Sequence, residues 1–246
     1  MTTEYQSTGE RAKTSHDKSI FPNFSHLCSS TIAITVGQAT KVEDQDQSMA
    51  QETFHVHKAL ICADSEFFKA ATGSLWRSSS SSAPIDMTDE GPSTFKIYLN
   101  FLYTKEVVFK SKLTSAYDAF ETLSNAYVLG EKLISHKFCN AVVKATIDFQ
   151  QQIKQYPPKK AIKIAYEGTT PSSPIRKLFV DYWLHVSHRN WNTENMIERT
   201  HPDFVEDLLS AVINARPVPS TYTACPRDPA TYYVKDNNDR NWQREK

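Results

Sequence analysis

Glycine is scarce in this chain, six residues among 246. None of the six falls in a phosphate-cradling pattern. The sequence holds no G-x-G-x-x-G, no G-x-x-x-x-G-K-[ST] and no G-x-S-x-G, so dinucleotide binding, P-loop chemistry and a hydrolase nucleophile elbow lack the backbone they need. Cysteine is also sparse. Cys28, Cys62, Cys139 and Cys225 lie far apart with no C-x-x-C pair, which excludes a zinc knuckle and a thioredoxin-like redox centre. Thiols spread in this way fit the reducing cytoplasm or nucleus. Net charge is missing as well: 28 basic residues balance 28 acidic ones. A neutral chain has no field to draw in nucleic acid or an anionic membrane. No apolar run approaches the ~18 residues that span a bilayer, and no apolar leader opens the chain. Neither a nucleic-acid partner, a membrane nor a cofactor is expected.

What is present has a clear order. Apolar residues make up 39% of the chain, and they avoid the ends. Residues 1–27 and 217–246 are polar or broken by proline, so they are expected to be flexible segments that cannot offset the entropy of ordering. "TIAITVG" alternates Ile32, Ile34 and Val36 on one face and predicts a strand closed by Gly37. "FHVH" (54–57) predicts a second strand, with Phe54 and Val56 facing in. Two short helices follow, parted by Asp64-Ser65 as a break and N-cap. The serine run at 77–84 reads as a flexible connector or a phosphorylation site. "PIDM" and "EVVF" (106–109) predict third and fourth strands. Between them, Pro92 opens a helix with Phe95, Tyr98, Leu99 and Leu102 in one stripe. Helices are predicted over 116–133 and over "SHKFCNAVVKATIDFQQQ". After a break at "QYPPKK" come a helix capped by Ser173 with Pro174 at its first position and Ile175, Leu178, Phe179, Tyr182 and Val186 on one stripe, and a last one with Phe204, Leu208 and Val212 inward. The fold class is α+β: short strands among helices, then further helices.

The residues with chemical potential concentrate in "TFHVHKALICADSEFFKAA". His55 and His57 share one strand face, and Cys62 follows. A metal site needs three or four converging ligands, and no third ligand stands at a suitable spacing. His57 instead sits where a strand meets a helix, and its imidazole is expected to satisfy backbone groups left open at that corner. His185 and His188 could share a helix face, but lack the Glu and third ligand of a zincin. Cys62 and Cys139 lie among apolar residues, as inert packing cysteines do. An enzyme is not expected, and a metal-dependent one is a distant alternative.

These residues carry a resemblance. "ITVG", "FHVHKALICADSEFFKAA", "IDM", "YLNFLYTKEV", "AYVLGEKL" and "FCNAVV" follow one another, between residues 31 and 149, as in a BTB/POZ domain. The later stretch "YEGTTPSSPIRKLFVDYWLHVSH" is similar to the C-terminal helices of many filamentous-fungal BTB proteins. The resemblance implies a BTB/POZ fold over 28–150, a small mixed sheet packed with a helical cluster, and a helical extension over 151–216. It identifies His57, Lys58, Phe68 and Tyr103 as structural motif residues. The partners it implies are proteins: a second copy of the chain in a homodimer, or cullin-3 for a substrate adaptor of a ubiquitin ligase. Two departures narrow this. Thr31 stands where the family commonly has an aspartate, so Lys58 lacks the counter-charge of the charged dimer pocket. "HDKSIFPNFSHLCSS" carries Pro22 and no sustained stripe, unlike the amphipathic helix of a swapped dimer.

One feature points to a partner without the resemblance. Ile97 and Phe101 lie opposite the stripe on the helix that Pro92 opens. A helix apolar on both sides is either sandwiched in its own core or offers a face to another chain. The second reading places partner contact at Ile97 and Phe101, and the resemblance, which puts part of the cullin-binding side at the end of this helix and the loop after it, adds Tyr103, Thr104, Lys105 and Glu106. The expected function is a protein–protein interaction module, a scaffold or self-association unit, with the cullin-3 adaptor as alternative.

Overall fold

The structure is a computed structural model and describes residues 29–38, 50–73, 83–109, 115–189, 191 and 193–216. The two expected flexible ends and most of the serine run lie outside the described residues.

Strand β1 (Thr31–Val36) is the middle of a three-stranded sheet of order β2-β1-β3. β2 (Glu52–His57) pairs with it antiparallel, Ile32 opposite Val56 and Thr31 opposite His57. β3 (Ile85–Met87) pairs parallel on the other edge, Val36 opposite Met87. The alternation read in β1 is the alternation of burial: Ile32, Ile34 and Val36 are buried, and Thr31, Ala33 and Thr35 are not. Gly37 takes φ 85°, the left-handed conformation its missing Cβ permits.

Helices α1 (Lys58–Asp64) and α2 (Glu66–Ala71) meet at Ser65. Its hydroxyl accepts from the Phe68 amide as the N-cap and donates to the Leu133 carbonyl at 2.5 Å. α3 (Pro92–Thr104) begins with proline at its first turn. α4 (Ala116–Lys132) starts in a capping box, Ser115 and Asp118 satisfying each other's backbone amides. α5 (His136–Ile153) is capped by Ser135. Where these elements meet, the Tyr98 hydroxyl of α3 donates to an Asp64 carboxylate oxygen at 3.1 Å, and the Ser135 hydroxyl donates to the same oxygen. Burial, then the adjacent Asp64 charge, raises the Tyr98 phenol far above its ordinary value, so it stays a donor.

Beyond α5 stand α6 (Lys159–Gly168), α7 (Pro174–Val186), the short α8 (Met196–Arg199) and α9 (Pro202–Ala215). The break at "QYPPKK" is real, but it is the entrance to α6, a helix the sequence reading passed over. Ala161, Ile162, Ala165 and Tyr166 form its buried face. α6 packs on α4 so closely that a Cβ at Gly168 would stand 2.5 Å from a Val128 methyl. α5 presses on the same helix: a Cβ at Gly130 would stand 2.8 Å from Cys139 Sγ and 3.1 Å from the Phe138 ring. α4 is therefore a wall shared by α3 and α5 among the earlier helices and by α6 among the later ones. Gly130→Ala is expected to lower stability by up to about 2 kcal/mol in urea denaturation, an overpacking cost of about 1–3 kcal/mol offset by the ~1 kcal/mol that alanine gains in a helix.

Arg176 locks the later helices together. Its guanidinium is buried, donates to the carbonyls of Tyr166 (2.6 Å) and Thr169 and to the Thr169 hydroxyl (3.0 Å), and pairs with Asp203 at 3.5 Å. It also stacks over the Tyr166 ring at 4.4 Å. Tyr166 in turn donates to Asp207 at 2.8 Å and meets the Phe204 ring edge-on. The α7 stripe differs in detail from the expected one. Trp183, Val180 and Arg176 are buried beside Ile175 and Phe179. Ser173 precedes α7 without capping it, because its hydroxyl donates instead to the Tyr127 hydroxyl at 3.3 Å. His188 lies beyond the end of α7, so it shares no helix face with His185. On α9 Phe204 is fully buried, whereas Val212 is 47% exposed rather than inward.

The predicted fourth strand is absent. Residues 107–109 keep a strand's alternation, Val107 and Phe109 half-buried and Val108 exposed, but are not paired into a sheet among the described residues. Their inward side chains are held by a helix instead: Phe109 meets Phe149 of α5 edge-on at 5.4 Å. Periodicity revealed which side faces in, and could not supply a neighbouring strand.

Candidate interaction surface

Helix α3 decides how much of the expected contact surface is open. Ile97 and Phe101 were expected on an exposed face, and both are buried, at 8% and 4% exposure. Phe101 packs on the Phe138 ring of α5, centroids 5.2 Å apart, and Tyr98 packs on the same ring at 5.1 Å. On the other side Phe95 meets Phe54 of β2 and Phe68 of α2. The helix is apolar on two faces because it is sandwiched between the sheet side and α5. This corrects the exposed-face reading for Ile97 and Phe101.

The end of α3 is different. Tyr103 is 46% exposed, and Thr104, Lys105 and Glu106 are exposed. Lys105 takes φ 63°, a left-handed cap in which its amide donates to the Phe101 carbonyl at 2.8 Å. A non-glycine residue pays about 1–2 kcal/mol for that conformation, so the turn is held by its surroundings. The Thr104 hydroxyl supplies much of the hold, donating to the Asn100 carbonyl at 2.9 Å and accepting from the Glu106 amide at 3.1 Å. The Lys105 ammonium lies over the Phe101 ring at 5.4 Å. The result is a rigid exposed corner with an aromatic, a cation and an anion within four residues, flanked by Val108 at 55% exposure.

His57 belongs to this corner, though not in the role expected of it. It precedes α1 as N-cap without a side-chain capping bond. The open amides find other acceptors: Lys58 donates to the Ser30 carbonyl at 2.8 Å, and Ala59 to the Ser29 hydroxyl at 3.2 Å. The His57 ring instead makes a 2.9 Å hydrogen bond between Nδ1 and the Tyr103 hydroxyl, which also lies 3.5 Å from the His57 amide. Two motif residues 46 positions apart in sequence thus fasten the end of α3 to the β2–α1 corner. Nothing in their spacing predicted the pairing. Phe68 is fully buried, and Lys58 is exposed with its ammonium 3.5 Å from the Thr72 carbonyl.

Metal and thiol chemistry have little to work with among the described residues. No group of three or more His, Cys, Asp or Glu side chains converges there. Cys62 is half-buried, its sulfur 3.2 Å from the Thr72 hydroxyl. Burial pushes the Cys139 thiol up to about 12, away from the thiolate a nucleophile requires. No helix among the described residues is long and apolar enough to cross a membrane.

A rigid exposed corner on a helix sandwiched in its own core is an arrangement that can hold a partner. Comparison with known proteins agrees in kind: the family model of the BTB/POZ domain matches residues 41–145. No curated protein matches the chain.

Proposed function

This chain carries a BTB/POZ domain, a protein–protein interaction module, and from that premise we propose that it acts as a scaffold or self-association unit through the corner Tyr103–Glu106. The observation that carries the reading is the strained, hydrogen-bonded turn at Lys105, which holds a half-exposed tyrosine and two charges in one arrangement. Preorganised aromatic groups of this kind are frequent anchors of binding energy. A second reading, substrate adaptor of a cullin-3 ubiquitin ligase, uses the same corner, since the sequence resemblance puts cullin contact at the end of this helix. The helices α6–α9 would then carry the substrate. A site in the cytoplasm or nucleus accords with both readings.

The two are separated by titrating the chain with a cullin-3 N-terminal fragment and measuring its self-association by sedimentation equilibrium. Tyr103→Ala is expected to weaken the operative association by about 2 kcal/mol, and to lower stability by only about 1 kcal/mol through the lost His57 hydrogen bond. Glu106→Lys makes no change to a core contact and should weaken association with melting unaltered. If neither substitution alters self-association or cullin binding, the corner is not the interaction surface.

A further inference from the structure

A cleft lined by residues of α4, α7 and the segment before α6 shares no residue with the Tyr103–Glu106 corner. About 350 Å³ in volume, it opens where the start of α4, the segment before α6, and the end of α7 come together. That volume is within the ~300–1,000 Å³ of specific ligand sites. Its walls are aromatic: Tyr117, Tyr156, Trp183 and Trp191 line it, joined by Gln155 and Lys159. The rings brace one another. Trp183 and Trp191 meet edge-on at 4.8 Å, and Tyr156 lies 5.9 Å from Trp191 and 5.5 Å from Tyr182. Trp183 is buried at 6% exposure, while Tyr117 stands 54% exposed on the first turn of α4. An exposed tyrosine and a braced indole pair thus line one cleft.

The polar groups of the cleft say what would fit it. The Trp191 indole N–H, two phenols, an amide and an ammonium include more donors than acceptors; the Gln155 carbonyl and the phenol oxygens are the side-chain acceptors. The indole nitrogen of Trp183 is buried and has no acceptor among the described residues. Lys159 donates to the Glu194 carbonyl at 2.8 Å, which leaves it further protons to give. It is also the one charged residue among those described as lining the cleft, and it is positive. A cationic occupant, such as a methylated lysine in an aromatic cage, would therefore meet a like charge. The complementary occupant is rich in acceptors, poor in donors, and offers flat apolar surface. Proline in a polypeptide has a carbonyl, no N–H, and a rigid ring. A polyproline II segment arrives already extended, so little ordering entropy opposes its docking against aromatic rings.

We propose that this cleft binds a proline-rich peptide segment of a partner protein, its rings lying against the aromatic side chains that line the cleft and its carbonyls accepting from Lys159, the Trp191 indole and the phenol donors. The test is a titration of the full chain, followed by tryptophan fluorescence, with three end-blocked peptides of ten residues. One is oligoproline, one a Gly-Ser repeat, and one the Gly-Ser repeat with a central trimethyl-lysine. Oligoproline is expected to give a saturable change and the Gly-Ser peptide none. Tyr117→Ala, which removes an exposed side chain, should weaken oligoproline binding at least tenfold with an unchanged melting temperature. Lys159→Gln, which keeps a donor and removes the charge, should weaken it by a smaller factor. The proposal fails if oligoproline binds no better than the Gly-Ser peptide, if Tyr117→Ala binds it equally well, or if the trimethyl-lysine peptide binds more tightly.

Discussion

Truncating Phe101 to Ala is expected to remove about 3–5 kcal/mol of folding stability, the range for a core phenylalanine. The ring is 4% exposed, packs on Phe138 at 5.2 Å and lies under the Lys105 ammonium. Its removal opens a cavity between α3 and α5 and loosens the turn that presents Tyr103. Urea denaturation followed by circular dichroism measures the loss as a shift in midpoint at constant slope. Phe101→Leu, which refills much of the volume, should recover more than half of it. If Phe101→Ala melts like the parent chain, the sandwich described for α3 is wrong.

The second large effect is expected at Arg176. Arg176→Ala should cost about 3 kcal/mol, because two backbone carbonyls and the Thr169 hydroxyl lose their donors together. Asp203 adds little to this, since its side chain is 52% exposed and stays hydrated without a partner. Arg176→Lys keeps the charge but not the planar fork that reaches both carbonyls, so it should recover only a minor part. An Arg176→Ala chain with the stability of the parent would mean that α6, α7 and α9 hold together by their aromatic contacts alone.

Legibility in the sequence followed the range of the forces involved. The strands β1–β3 and the helices α3, α4, α5, α7 and α9 were readable because burial alternates along each of them, and a period is a local property. Ser65, Pro92 and Pro174 were readable as punctuation for the same reason. What failed depends on a neighbour distant in sequence. The two-faced pattern of α3 says that both faces are covered, and only Phe138, 37 positions on, says that the second cover belongs to the same chain. "EVVF" alternates as a strand does, yet Phe109 found a helix. Arg176 reads as a solvated charge on an amphipathic helix until Tyr166 and Thr169 are seen to enclose it. α6 could have been found: Ala161, Ile162, Ala165 and Tyr166 recur at helical spacing, and the prolines before them overshadowed the signal. The His57–Tyr103 pair was half visible, each residue noted for a motif and neither for the other. Of the aromatic cleft the sequence gives no hint, since Tyr117, Tyr156, Trp183 and Trp191 come from four separate segments.

The wall formed by α4 ties the two halves of the molecule together in time as well as in space. A segment opens to solvent at a free energy set by the contacts it must break, and α4 must release α3, α5 and α6 at once. Fluctuations that open α4 therefore disturb the earlier and the later helices in one costly event. A partner at the proposed corner or in the proposed cleft that grips only the closed form would make that event rarer. Occupancy of one proposed surface would in this way be felt as slower breathing at the other, though neither has to change shape.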